Sequence, residues 1–254
     1  MLVKNKIVIF ILVVAICGLS IYGLVSYFDY VSNKSEDNKK EIWEKLDVND
    51  SIVKDLFAMT GSSKKNLFVD TDYENIYFSG TKTKIKTMDI EFKLLLVLYN
   101  LDQDNFVQEE NVTKIEEKYI KEKYNEIFGD NDYEARDFFA GCPSQIKYNK
   151  EQMQYEYDEY CGGMQVSGYE YKLIEARKYT DRIEIYNKVA FYLIDENEET
   201  ISYWKNSDIS SSIITLSLDQ TFNIDEYLET LNTYKYTFRL KGEKYYFEMV
   251  EKLK

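Results

Sequence analysis

The apolar positions of this chain change period three times. The first run is continuous: Ile7–Phe28 holds 22 residues without a charge. As a helix it would measure about 33 Å, against a hydrocarbon core of about 30 Å. Val31–Glu41 is polar. A helical period then sets in, with Asp50 placed to cap a helix whose Ile52, Val53, Leu56 and Phe57 share a face and Gly61 as its stop. Gly61–Lys65 reads as a turn, and Leu67–Lys86 carries a short element around Ile76–Phe78. In Thr87–Leu101 the apolar residues Phe92, Leu94, Leu95, Leu96, Val97 and Leu98 surround nearly the whole circumference of a helix. Such a helix belongs at the centre of a core. Thr113 and Glu116 have capping-box spacing. Ile115, Tyr119, Ile120, Tyr124, Ile127 and Phe128 then fall on one helical face that Gly129 ends. Lys114, Glu117, Lys118, Lys121 and Glu122 take the solvated side, and Tyr133–Ala140 adds one further helical turn.

From Ser144 onward the period is two. Ile183, Ile185, Val189, Phe191 and Leu193 alternate with polar residues in a long strand. Tyr169–Tyr179 forms the strand before it, with a turn over Tyr179–Arg182. Ile201–Lys205 and Ile213–Leu218 resume the sheet after an acidic turn at Asp195–Thr200, with Ser207–Ser212 a loop between them. Ile224–Leu231 reads as a helical turn. Thr233–Leu240 and Lys244–Glu251 close the chain as a hairpin around Gly242. Helices first and an antiparallel sheet second give the α+β class, with an N-terminal transmembrane helix ahead of helices packed on a curved antiparallel sheet. No internal repeat is visible.

The uncharged run is read as an uncleaved membrane anchor. A lipoprotein signal needs a small residue before its cysteine, and Ile16 precedes Cys17. Cleavage after Gly18 or Ser20 is the competing reading, but the apolar run continues past both and exceeds a signal-peptide core. Tyr22, Tyr27, Phe28 and Tyr30 gather at its far end, where amphipathic rings favour the interface. Lys4 and Lys6 before the span place the N-terminus in the cytoplasm and the remainder outside. The expected organisation is a cytoplasmic tail over 1–6, the span over 7–28, a stalk over 29–45 and an extracytoplasmic domain over 46–254. That is a single-pass cell-membrane protein.

The formal charge is −13, and −15 once Lys4 and Lys6 are set aside. Nucleic acid is therefore not expected as a partner, nor is docking onto anionic lipid. The chain has 254 residues and no histidine. Without histidine there is no Ser-His-Asp or Cys-His chemistry, and the commonest general base and zinc ligand are missing. One proline and abundant Lys, Asn, Ile, Tyr and Glu match the coding bias of an AT-rich bacterial genome. The 24 tyrosines suit half-exposed strands, with an apolar body and a wet tip.

Cys142 and Cys161 bracket a hairpin. If the chain reverses near Glu151, Tyr148 lies opposite Tyr155, Ile146 opposite Tyr157 and Cys142 opposite Cys161, all on one face. A disulfide there would close 20 residues and contribute about 3 kcal/mol in the chain-entropy model, and an extracytoplasmic location permits it. Two separate buried thiols are the alternative. Asp102-Gln-Asp104, Asp130-Asn-Asp132, Asp70-Thr-Asp72 and Asp195-Glu-Asn197 begin like calcium loops. None continues with the required glycine and glutamate, so solvated loop charge is the expectation and no metal or cofactor is assigned. No glycine loop is built to cradle a phosphate, and no carboxylate pair stands out among the acids. Tyr155, Tyr157 and Tyr160 could stack on sugar rings, though strand packing explains them more cheaply.

Tyr234-Lys-Tyr236-Thr-Phe238-Arg-Leu240, Gly242 and Tyr245-Tyr246-Phe247 resemble the closing hairpin of the cone-shaped ketosteroid-isomerase-like or nuclear-transport-factor-like domains. Ile127-Phe128-Gly129, Cys142, Cys161-Gly162-Gly163 and the tyrosine-rich hairpin also resemble uncharacterised single-span surface proteins of AT-rich bacteria. The first resemblance implies helices packed into a curved sheet, and some such domains on a single span are envelope assembly factors. The expected function is a membrane-anchored, non-enzymatic binding or envelope-assembly module with a protein partner in the cell envelope. The alternatives are a small-ligand or lipid-binding sensor domain, or an isomerase or hydrolase working through Asp and Tyr without histidine.

Overall fold

The computed structural model describes residues 41–61, 82–129, 132–139, 145–158, 167–195, 197–205 and 212–253. The Ile7–Phe28 run lies outside them, as do Cys142, Cys161 and the element read around Ile76–Phe78. No helix among the described residues is long and apolar enough to cross a membrane. Contacts set Trp43–Lys254 apart from Met1–Ile42 as a compact unit.

In chain order the unit opens with β1 (Glu44–Leu46) and α1 (Ser51–Met59), followed by β2 (Lys82–Lys84) and a 3-10 turn over Ile85–Thr87. Then come α2 (Ile90–Asn100), β3 (Val107–Glu109), β4 (Val112–Glu116), α3 (Glu117–Phe128), β5 (Lys147–Asn149) and β6 (Gln154–Asp158). The second half is strand-rich: β7 (Ser167–Lys178), β8 (Arg182–Asp195), β9 (Thr200–Trp204), β10 (Ile214–Ser217), a 3-10 turn over Ile224–Tyr227, β11 (Thr233–Lys241) and β12 (Lys244–Leu253). The class is α+β, with three α-helices and antiparallel sheets among the described residues, as the periodicity predicts.

The main sheet runs β1-β7-β8-β11-β12-β2. β9 pairs with the far end of β8, and β10 with β9. β8 can serve both β11 and β9 because it is 14 residues long. A second sheet has the order β3-β4-β6-β5. Its β5–β6 hairpin takes the register read from the cysteine spacing: Tyr148 opposes Tyr155 and Asn149 opposes Gln154. The next expected pair, Ile146 with Tyr157, is not made. Ile146 instead exchanges both backbone hydrogen bonds with Phe138, while Tyr157 pairs with Thr113. β1 draws Glu44 and Lys45, at the end of the expected stalk, into the main sheet against Lys178 and Arg177.

One core joins the helices to both sheets. Val53, Leu56 and Phe57 of α1 bury against the main sheet, where the Phe57 ring lies 5.2 Å from Tyr171 and 5.5 Å from Tyr236. Leu94–Leu98 of α2 are buried throughout, as expected of a helix apolar on all sides. The Asp89 carboxylate caps α2 at the Glu91 N–H, 2.9 Å away. Asp50 occupies the N-cap position of α1, but its side chain makes no cap bond there. Alternation along β8 sends Ile183, Ile185 and Val189 into this core. On the reverse face a smaller cluster gathers Ala190, Tyr203 and Leu231, with Phe222 stacked on Tyr203 at 3.8 Å.

Two sequence expectations need correction. Thr113 and Glu116 do not form a capping box: Val112–Glu116 is β4, with Thr113 and Ile115 paired to Tyr157 and Tyr155, and α3 starts only at Glu117. Ile115 still points into the core because a strand residue and the next helical turn can share one side. Gly129 does end α3 in the left-handed region, at φ 63°. The helical turn expected over Tyr133–Ala140 is absent from its described part. Residues 132–139 run irregularly apart from the Phe138–Ile146 bridge.

Candidate functional site

Two polar clusters stand out on this frame. The first lies on the main-sheet face turned away from the helices. A β-bulge at Ile174 shifts the register of β7, so Glu175 and Arg177 join the face presented by Glu184 and Tyr186 of β8 and Lys235, Thr237 and Arg239 of β11. Glu184 is buried, and accepts from the Tyr186 hydroxyl at 2.7 Å and from Arg182 Nε at 2.9 Å. Burial pushes its carboxyl up. The Tyr186 and Arg182 hydrogen bonds and the nearby Lys235 more than offset that and hold it below the usual glutamate range. Arg177 bonds Glu175 through Nε and Nη2 at 2.8 and 2.7 Å. Its guanidinium sits 4.8 Å from the Trp43 ring and 4.7 Å from the Tyr186 ring, a cation stacked between two π faces. Lys235 pairs with Glu251 at 2.8 Å, and Arg239 bridges Asp181 and Glu248.

The second cluster ties residues 132–139 to α2, α3 and the smaller sheet. Lys93, only 1% exposed, reaches Asp132 Oδ2 at 2.9 Å. It lies 5.7 and 5.5 Å from the rings of Tyr124 and Phe128. The Tyr124 hydroxyl donates to Asp132 Oδ1 at 2.9 Å. Partial burial raises the Asp132 carboxyl, and the bonds from Lys93 and Tyr124 bring it below its ordinary value. The hydroxyls of Tyr133 and Tyr155 are 2.9 Å apart, and Tyr148 donates to Glu117. That bond to Glu117, with burial, pushes Tyr148 up to about 12, while burial carries Tyr155 up to about 12.

Chemically both clusters are locked, with carboxylates that stay ionised and phenols that stay protonated at neutral pH. A general base works best with a pKa near the operating pH. Glu184 and Asp132 are both shifted the other way, and each is already bonded to a cation and a tyrosine hydroxyl. Phenols raised to about 12 are poor acids at neutral pH. The sequence showed neither cluster. Lys93 carried a signal, being a lysine inside a helix apolar all round, but its partner lies 39 residues on.

The remaining sequence candidates fall as follows. Asp195 accepts the N–H groups of Asn197 and Glu198 in its own turn. Asp102 precedes, and Asp104 lies within, an exposed 3-10 turn over Gln103–Asn105. Asp132 is taken by Lys93, and Asp70, Asp72 and Asp130 lie outside the described residues. Among the described residues no group of three or more His, Cys, Asp or Glu side chains is placed to hold a metal ion. Tyr155 is fully buried and offers no face to a sugar, Tyr157 is half-buried against the core, and Tyr160 lies outside the described residues. No protein-family model, curated protein or solved structure matches this chain.

Proposed function

We propose that this chain is a single-span membrane protein with its N-terminus in the cytoplasm. On this reading its folded unit is displayed outside the cell as a non-enzymatic module that binds a protein partner in the envelope. The anchor and orientation rest on the uncharged Ile7–Phe28 run with Lys4 and Lys6 ahead of it. The cone-like arrangement implied by the closing hairpin remains part of the proposal, supported by helices gathered on one face of an antiparallel sheet.

The observation that carries the binding reading is the face of the main sheet turned away from the described α-helices. There Arg177, Lys235 and Arg239 are held in fixed positions by carboxylates and rings while staying 30%, 18% and 34% exposed. Pre-set side chains lose little entropy on association. Trp43 and Arg177 supply residue types that anchor interfaces. The module reading is favoured over a histidine-free isomerase because the carboxylates beside tyrosines, Glu184 and Asp132, are locked to cations.

Crosslinking in intact cells, followed by purification of the full chain in detergent, tests this. The expected result is one stoichiometric protein partner whose yield collapses in Arg177→Glu. A strictly monomeric catch, or a partner indifferent to Arg177→Glu, would contradict it.

A further inference from the structure

Asn187 is the misfit of the main core. It lies on the helix side of β8 between Ile185 and Val189, with no exposure to solvent. Neither its Oδ1 nor its Nδ2 has a hydrogen-bond partner among the described residues. The buried charged side chains of the unit are served, Lys93 by Asp132 and Glu184 by Tyr186 and Arg182. An amide buried without partners forfeits the hydrogen bonds it made in water. Among the described residues no other buried side chain leaves two polar atoms unpaired. The backbone is irregular at the same place. β7 bulges at Ile174 directly across from Asn187. A second bulge, with Glu248 as the extra residue of β12, lies beside Thr237, whose buried hydroxyl is also unpaired.

The element over Asn187 is α1. Tyr171 of β7 opposes Val189 and Tyr236 of β11 opposes Ile185, so the two tyrosines stand diagonally on either side of Asn187. The Phe57 ring touches both, at 5.2 and 5.5 Å, which sets it above β8 at Asn187. A phenyl ring offers an amide at most a weak N–H···π contact. α1 has nine residues, too few to be stable as an isolated helix. Asp50 at its N-cap makes no side-chain cap bond, whereas Asp89 caps α2. Ser51, Ile52, Lys54 and Asp55 face water, and β1 ahead of them is a three-residue edge strand. The C-terminal end is tied to α2, where Asn100 Nδ2 reaches Met59 O at 3.4 Å.

We propose that α1 is a hinged cover. It lifts from the sheet on its C-terminal end as pivot, and the unpaired Asn187 amide lowers the cost of lifting. Raising Phe57 lets water reach both amide atoms, a gain that an apolar residue at this position would not have. Val53, Leu56 and Phe57 oppose the opening by their burial, so the closed form dominates. The lifted form bares an apolar sheet face, around Tyr171, Ile185, Val189 and Tyr236, with one amide at its centre.

The inference goes beyond the partner-binding reading and does not depend on it, since α1 and Asn187 lie across the sheet from the Arg177 face. Hydrogen exchange of the full chain in detergent micelles, followed by mass spectrometry over a series of low urea concentrations, tests it. Amides of residues 53–59 should exchange at least about tenfold faster than those of β8 and β11, and with a weaker urea dependence, because lifting one helix exposes less surface than unfolding the unit. Asn187→Leu keeps the branched outline and removes the amide. It should slow residues 53–59 and β8 by one common factor, about tenfold, because residue 187 meets water in the lifted and the unfolded chain alike. If the larger side chain overpacks the core, both should quicken by one common factor, which upholds the cover equally. Residues 53–59 exchanging in step with β8 and β11 in the unmodified chain would overturn the proposal. So would an Asn187→Leu chain in which β8 shifts and residues 53–59 do not, or one in which neither shifts.

Discussion

Gly129 and Gly242 form a natural experiment. Both sit in the left-handed region, at φ 63° and 65°. Placing an L side chain there costs about 1 kcal/mol at either position. They differ in surroundings. A Cβ at Gly242 meets nothing within 4 Å, whereas one at Gly129 would lie 2.6–2.7 Å from three atoms of the Tyr246 ring. The ring atoms struck include Cγ, close to the backbone, so the ring cannot simply swing aside. Overpacking of this kind adds about 1–3 kcal/mol. Gly242→Ala should therefore cost about 1 kcal/mol, and Gly129→Ala about 2–4 kcal/mol. Urea denaturation of both variants in parallel measures the difference. Adding Tyr246→Ala to Gly129→Ala should recover the packing part and leave only the backbone cost, a double-mutant coupling of about 1–3 kcal/mol. Equal losses for the two alanine variants, or no coupling with Tyr246, would refute the packing of the α3 terminus on β12.

Asp132→Ala strands the buried Lys93 and should cost about 3 kcal/mol, whereas Lys93→Met, which removes the buried cation, should be near neutral or stabilising; denaturation curves showing the reverse order would contradict the pair. Glu184 contributes stability that is complete above the ordinary glutamate pKa and drains away as pH falls through its depressed folded value. Acid titration should thus show a loss beginning below about pH 4.5 that Glu184→Gln largely abolishes, and an unchanged acid profile in that variant would count against the network. Cys142 and Cys161 lie outside the described residues, and a disulfide between them stays an expectation of their spacing in the sequence. Non-reducing peptide mapping should find it, and reduction should cost about 3 kcal/mol; two thiols that alkylate without unfolding would remove it.

Legibility in the sequence followed the locality of the cause. The β7–β8 turn, the Gly242 hairpin and the Tyr148–Tyr155 register are each set by residues a few positions apart, and all three are where the period placed them. β4 was misread because Ile115 and Tyr119 keep helical spacing across a strand-to-helix junction, and the strand's partner, β6, lies some 40 residues on. Neither bulge left a signal, since Ile174 and Glu248 are ordinary residues whose extra step shows only against a partner strand. The polar clusters were invisible for the same reason. Strand alternation puts Glu184 and Tyr186 on one face, but Arg177 joins them only through the Ile174 bulge, and Trp43 arrives from more than a hundred residues away.

The central claim is that a folded, acidic, histidine-free unit is held outside the cell by Ile7–Phe28. Protease treatment of intact cells tests it most directly, with the released fragments and the N-terminus of the untreated chain read by mass spectrometry. Removal of the folded unit from unbroken cells, with an untreated chain that keeps residues 7–28, is the predicted result. A unit that stays protected until the membrane is opened, or a mature chain beginning near residue 21, would contradict it.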